Sequence, residues 1–441
     1  MPTTRYNAIA DGIAADIQCG KLTPGTQLPT VRALMQAHGL ALATASRVYA
    51  ELELRGLVVG ETGRGTFVRD ASLPRSPGMV VEDASSAVVD LTYGYPSLPG
   101  LAPLLREGLS SLATSGDIDA LLHYGTPGGR PHERATLARH LRNRGIRVPA
   151  EQVLVVSGAQ QGLSASVMAL FKPGDALAVD ALTFSSMMAL AQEYLLELLP
   201  VPSVDGCMDM DALARLCKRR RVRAAYVMPT LHNPLGSVML LKDRRRLVEL
   251  ARRHDFLIIE DGTYAFLVEP APVPVFTLAP ERTVYVTGLS KSVAAGLRIG
   301  YMAAPPELVP ELERAIRLTA WSAPTLTVTL ACRWIETGVV DALEEDKRRD
   351  ARERQQLARR VLRGLDISAY PSSYIVWITL AQGLRADEVA AQLKDDGVLV
   401  VTAEPFAATR HVPQALRLMI CSVPLETLKG ALEKVRRAAA N

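Results

Sequence analysis

Lys291 lies in a small-residue loop, "VTGLSKSVAAGLRIGY", with Arg298 seven positions on and glycines around both. Other polar residues stand directly after apolar runs. Asp261 and, three positions further, Tyr264 follow "FLIIE"; Asn233, ahead of Pro234, follows "AAYVMPTLH"; Ser157, Gly158, Ala159 and Gln160 follow "QVLVV". Their chemistry is complementary. An amine can form a Schiff base, and a carboxylate buried at a strand end needs a cation, such as a protonated pyridine nitrogen. An amide and a phenol can serve a ring oxygen. A glycine turn opening a helix offers N–H groups and a positive dipole end to a phosphate, with Arg298 beside it. Each residue alone has a plainer reading: Lys291 as a surface-loop lysine, Arg298 as a helix-end cation, Asn-Pro as turn chemistry. Their order along the chain suggests a pyridoxal phosphate site.

The elements that must position these groups read as an α/β domain. From about residue 89 to 441, apolar runs alternate with amphipathic helical segments, the pattern of a largely parallel sheet. In such sheets ligands bind outside the carboxyl ends of the strands, where these residues fall.

"SGAQQGL", "HNPLG", "EDGTY", "GLSK" and "GLRIGY" resemble the motif series of fold-type I aminotransferases. The resemblance implies that Lys291 forms the internal aldimine, that Asp261 pairs with the pyridinium nitrogen, and that Asn233 and Tyr264 bind the ring hydroxyl. It also implies that Phe184 stacks on the ring, that Tyr124 reaches the phosphate of a neighbouring subunit, and that Arg417 grips a substrate carboxylate. Two positions depart from the pattern. Gly288 stands where a serine or threonine often binds phosphate, so that contact is lost or passes to Thr287 or Ser290. "DALTF" lacks the usual proline and tyrosine.

Residues 1–70 read differently. Tyr6, Ile9, Ile13 and Ile17 are spaced for an amphipathic helix ending near Gly20; "TVRALMQAHG" is a short helix between Thr30 and Gly39; a third helix runs from about Ala43 to Arg55. "LVVGETGRGTFV" then signals a hairpin. This is the order of a winged helix-turn-helix, whose third helix would offer Thr44, Ser46 and Arg47 to the major groove, with Arg64 at the hairpin tip. A small protein-interaction domain could use the same elements, and the balance of acids and bases here does not decide. "GKLTPGTQLPTVRAL", "ATASRVYAELELRGLV" and "GRGTFV" resemble the DNA-binding head of the GntR family. That resemblance implies Arg32, Thr44, Arg47 and Gly65 at DNA.

Residues 71–88, rich in Pro, Ser, Gly and Ala, read as a linker. "CKRRRVR" reads as a solvated helix end. Over 441 residues the charge is only +4 with 22% charged residues, so any nucleic-acid contact is local. The five scattered cysteines lack metal-site spacing, and no metal is expected. No basic-then-apolar leader opens the sequence, and its most apolar window is broken by Glu193 and Glu197, so the expectation is a cytoplasmic protein off the membrane.

A GntR-type head on an aminotransferase-like body resembles the MocR subfamily of bacterial transcriptional regulators. The resemblance implies a head-to-tail homodimer on a double-stranded DNA operator, with an amino-compound effector sensed by aldimine exchange. A working aminotransferase with an accessory DNA-binding head is the alternative.

Overall fold

The computed structural model describes residues 5–61, 65–69, 88–96, 98, 100–114 and 118–440. Arg64 and residues 71–87 of the expected linker lie outside them.

The head has helices α1 (Arg5–Gln18), α2 (Val31–His38) and α3 (Leu42–Leu54), then strands β1 (Val58–Glu61) and β2 (Gly65–Val68) paired antiparallel. The signals that bound α2 are the expected ones: Thr30 Oγ1 accepts from the Ala33 N–H at 3.2 Å, and Gly39 ends the helix at φ 58°. On α3, Ala45, Val48, Tyr49 and Leu52 fall at three- and four-residue spacing and are buried against Ala10 and Ala14 of α1 and Leu34 of α2. Burial of each larger side chain is worth about 1.5–3 kcal/mol. That choice of inner face turns Ser46 and Arg47 outward.

The body is entered at β3 (Val89–Asp90). Its main sheet has seven strands: β4 (Val153–Val156), β5 (Ala176–Asp180), β6 (Glu197–Val201), β7 (Ala224–Val227), β8 (Leu257–Asp261), β9 (Thr283–Gly288) and β10 (Gly300–Ala303). Their spatial order is β4-β10-β9-β8-β7-β5-β6. Strands β9, β8, β7, β5 and β6 pair in parallel, and β10 runs antiparallel to both β9 and β4. Both sheet faces are covered, so these strands are buried along nearly their whole length, which is why they read as unbroken apolar runs. The largely parallel sheet expected from the sequence is therefore present, with one reversed strand.

A second sheet, antiparallel, closes the chain: Asp366–Ser368, Ile375–Thr379, Ala415–Met419 and Val401–Thr402 in spatial order. Helices Ala386–Asp395 and Leu425–Ala440 contribute to the core beneath it. Strand β3 pairs with Val398–Leu399, so the body's first residues belong to this C-terminal layer. The head rests on the same layer: the Arg385 guanidinium lies 4.0 Å over the Phe67 ring, and Arg69 pairs with Glu404 at 2.7 Å. The arginines of "CKRRRVR" are exposed at the end of helix Met210–Arg219 and just past it, as expected of a solvated helix end.

Candidate functional site

Eight segments converge at the carboxyl edge of the main sheet around a cavity of about 210 Å³. Parallel strands β7, β8 and β9 deliver Asn233, Asp261 and Lys291 there. Reversal of β10 brings its first residues to the same edge, which is how Arg298 arrives. Ala159 and Gln160, at the start of helix Ala159–Leu170, Phe184, Tyr264 and Arg417 also line it.

Asp261 is 2% exposed, its carboxylate accepting from the Tyr226 hydroxyl at 3.0 Å and the Thr263 N–H at 2.9 Å. Burial raises its pKa; those two bonds and the charge of Lys291 act the other way. Lys291 Nζ donates to the Gly94 carbonyl at 2.6 Å and stands 5.4 Å from the Tyr95 ring centroid. Burial lowers its pKa, the direction a nucleophilic amine requires. Tyr264 is buried, and burial raises its pKa, so its phenol stays a donor. Arg417, 3% exposed, donates to the Thr92 carbonyl at 2.7 Å and faces Phe406 at 5.1 Å; burial brings its pKa down to about 10.

The glycine turn is tighter than expected. Gly158 has φ 86°, and a Cβ there would meet Arg298 Nη2 at 2.9 Å. Arg298, itself left-handed at φ 52°, donates to the Ser157 carbonyl at 3.3 Å. The Ser157 N–H is taken by Gln161 Oε1 at 2.6 Å, and neither Ser157 nor Gly158 lines the cavity. Of this turn and Arg298, it is Ala159, Gln160 and Arg298 that line the cavity. A Cβ on Gly288 would stand 3.0 Å from the Ile299 carbonyl and 3.3 Å from the Ala159 nitrogen. Of the two substitutes, Thr287 is spent on the Gly262 carbonyl at 3.2 Å, whereas Ser290 lines the cavity and its Oγ has no partner among the described residues. Tyr124 stands apart, 85% exposed and 5.8 Å from Trp321.

Several supporting residues were not signalled by the sequence. Tyr226 sits in mid-strand. Arg244, buried on helix Leu241–His254, donates to the carbonyls of Pro229 and Met239 and to Thr230, fixing the loop that carries Asn233. His232 and Asp180, both buried, approach to 3.5 Å behind that loop. Thr92, Tyr93, Gly94 and Tyr95 form a strap across the cavity, with Tyr93 and Tyr95 stacked at 5.5 Å. Among the described residues one trio, His140, Asp341 and Glu344, gathers metal-type ligand atoms. Glu344 is held there by Arg144, and Asp341 accepts from Asn143 at 2.8 Å, which makes the trio part of an ion-pair cluster.

On the head, Arg32, Ser46 and Arg47 are exposed and Thr44 is half-buried at the start of α3. Gly65 is exposed at the start of β2 with φ 120°, where a Cβ would crowd Gln27.

Among the described residues Arg417 Nε, Asn233 Oδ1 and Ser290 Oγ lack partners, and the Asp261 carboxylate is met by the Tyr226 hydroxyl and the Thr263 N–H. The donor set fits a group with a cationic ring nitrogen, a ring oxygen and an anion. The fold and this cavity define a lysine-bearing domain of the pyridoxal phosphate class, joined to a winged helix-turn-helix. The profile of aminotransferase class I and II matches residues 87–435, and that of the bacterial regulatory proteins of the gntR family matches residues 5–68. The chain belongs to the aminotransferase class I and II family and carries a GntR head, an architecture consistent with the MocR type. Pyridoxal phosphate is the cofactor this domain implies, and it supplies an aldehyde for imine formation and an electron-accepting ring. An uncharacterized HTH-type transcriptional regulator of Bacillus subtilis, YdeF, is 28% identical, over 98% of this chain and 94% of its own. Aromatic-amino-acid aminotransferase 1 of Thermococcus litoralis is 30% identical, over 80% of this chain and 88% of its own. Among solved structures, a multiple substrate aminotransferase from Thermococcus profundus superposes with a TM-score of 0.73 at 26% identity, covering 81% of this chain and 92% of that one. No helix among the described residues is long and apolar enough to cross a membrane.

Proposed function

We propose that this chain is a cytoplasmic transcription factor that binds a double-stranded DNA operator and is switched by a small amino compound. Residues 1–70 form the DNA-binding head, 71–88 the linker and 89–441 the effector domain. The observation that carries the reading is the coexistence, in one chain, of a GntR head with a fully furnished lysine cavity.

On the head, α3 enters the major groove with Thr44, Ser46 and Arg47, Arg32 meets the backbone, and Arg64 with Gly65 serves the wing. In the body, Lys291 carries the cofactor, Asp261 holds its ring nitrogen, Asn233 and Tyr264 its ring oxygen, and Phe184 its face. Ala159, Gln160, Ser290 and Arg298 seat the phosphate. Ser157 and Gly158 serve it through the turn, and Tyr124 reaches the partner subunit of a head-to-tail homodimer. With pyridoxal phosphate bound, an effector's amine would exchange with Lys291, Arg417 would take its carboxylate, and the two dimer states would shift in population by the difference in effector affinity.

Gel shift on the DNA upstream of this chain's own gene, with and without pyridoxal phosphate and candidate amino compounds, tests the proposal. The wild type is expected to change its DNA affinity with ligand and Lys291→Ala to lose that response; an unchanged response in the variant refutes it. One observation favours a second reading, a working aminotransferase. Asn233, Asp261, Tyr264, Lys291, Arg298 and Arg417 all meet in the cavity, which supports it. Multiple turnovers from amino acid to free keto acid would establish it.

A further inference from the structure

Lys347, on the long helix Val339–Val361, is fully buried. Its ammonium donates to three main-chain carbonyls: Pro96 at 2.9 Å, Lys291 at 3.0 Å and Val293 at 2.8 Å. Its donors are thereby spent on main chain. The carboxylates nearby are engaged elsewhere: Asp350 with Arg354 at 2.8 Å and Tyr374 at 2.9 Å, and Glu344 with Arg144. A buried ammonium without a carboxylate of its own is costly, and an apolar side chain would fill the space more cheaply.

What the ammonium holds is specific. Lys291 and Val293 are at the end of the one-turn helix Leu289–Ser292, where carbonyls lack intrahelical partners. Pro96 ends the strap whose Gly94 carbonyl accepts from Lys291 Nζ. We propose that Lys347 is a positioning residue for the cofactor lysine: it fixes the Lys291 loop and the 92–96 strap in one frame and sets a positive charge behind the Lys291 amine that favours its neutral form. The inference rests on the reading of Lys291 as the cofactor-bearing residue.

Burial pushes the Lys347 ammonium down to about 8; Cys421, Asp350 and Glu344 favour its charge and Lys291 opposes it. Lys291 in turn faces Cys421, Arg417, Arg298 and Asp261, together with the Tyr95 ring. Below pH 8, then, the clamp is charged, and its effect is readable as the pH midpoint of the absorbance change of the lysine-bound cofactor.

The test titrates that absorbance in full-length protein reconstituted with pyridoxal phosphate, for wild type, Lys347→Met, Lys347→Arg and Lys291→Ala. Lys347→Met is expected to raise the midpoint by about one to two pH units, the order for losing a unit charge about 6–12 Å away at an effective dielectric of about 20. Lys347→Arg keeps the charge and is expected to return the midpoint toward wild type, an outcome that lost packing alone would not produce. If Lys347→Met does not fold, Lys347→Gln, which keeps donors without the charge, takes its place. An unchanged midpoint in the neutral variant, or a shift that arginine does not reverse, overturns the proposal. A wild-type band identical to that of Lys291→Ala would instead overturn the assignment of Lys291, and the inference with it.

Discussion

Gly158→Ala is the substitution whose effect follows most directly from the geometry. The residue combines φ 86° with ψ 163°, a region that side-chain-bearing residues avoid at a cost of about 1–3 kcal/mol. The new Cβ would also lie 2.9 Å from Arg298 Nη2 and 3.2 Å from its Cζ, so the guanidinium must shift, and a shift that spoils its alignment on an anion costs part or all of that contact. A charge-assisted hydrogen bond from that guanidinium to a phosphate is worth about 1.5–3 kcal/mol, which translates to a loss of about tenfold to a hundredfold in cofactor affinity. Gly174 supplies the control. It has φ 87°, but a Cβ there meets nothing within 4 Å. Both alanine variants are expected to lower the melting temperature of the cofactor-free protein, while only Gly158→Ala weakens pyridoxal phosphate binding in a fluorescence titration. Equal cofactor affinities for the two variants would refute the claim that Gly158 makes room for Arg298.

Arg32→Ala should weaken operator binding and reduce the slope of log affinity against log salt by about one, as for loss of a phosphate contact, and Arg47→Ala, in the groove, should cost about 1–3 kcal/mol and relax sequence preference; an unaltered slope for Arg32→Ala in gel shifts would place that residue off the backbone. Tyr226→Phe removes the phenol at 3.0 Å from Asp261, whose pKa already lies above the ordinary 3.8, and should raise it further. The cofactor-free variant is then less stable by about 1.5–3 kcal/mol at neutral pH. Because the native carboxyl binds its proton at higher pH than the unfolded chain, this deficit fades as pH falls through the native pKa of Asp261; melting curves that show the same deficit at neutral and acid pH would contradict it. If a ligand carboxylate takes Arg417 from the Thr92 carbonyl, amide hydrogens of the 92–96 strap should exchange faster with an α-amino acid than with the corresponding simple amine, and equal rates would exclude that competition.

The head was legible because its determinants are local. Thr30 and Gly39 bound α2 within eight residues, and the spacing of Ala45, Val48 and Leu52 on α3 decides which side faces out. The strand-end residues were legible for a related reason: a buried parallel strand is an unbroken apolar run, so a polar residue just after it stands at the ligand-binding edge. Supporting contacts were hidden by their range. Tyr226 meets Asp261 across 35 positions, Lys291 meets Gly94 across 197, and Lys347 meets Pro96 across 251. No local pattern marks either end of such a pair, and Tyr226 and Lys347 look like an ordinary strand aromatic and an ordinary helix charge. The choice between Thr287 and Ser290 was equally closed to the sequence, because it depends on which way the residues at the end of β9 turn. Thr287 turns to the Gly262 carbonyl, and Ser290, past the strand, faces the cavity.

The strap gives the two halves of the chain a physical connection. Its residues follow β3, the first described element beyond the expected linker, and β3 is paired with Val398–Leu399 in the C-terminal layer on which the head rests. Within a few residues the strap offers the Thr92 carbonyl to Arg417, the Gly94 carbonyl to Lys291 and the Pro96 carbonyl to Lys347. Under the proposed function the cofactor takes Lys291 and the effector's carboxylate takes Arg417, so it is the Arg417 bond to the strap that the effector competes for, worth about 1.5–3 kcal/mol. Its loss would bias a two-state equilibrium by about tenfold to a hundredfold, and release of Lys291 from the cofactor would return its amine to the Gly94 carbonyl. Under that proposal the effector acts on the segment that follows the expected linker to the head.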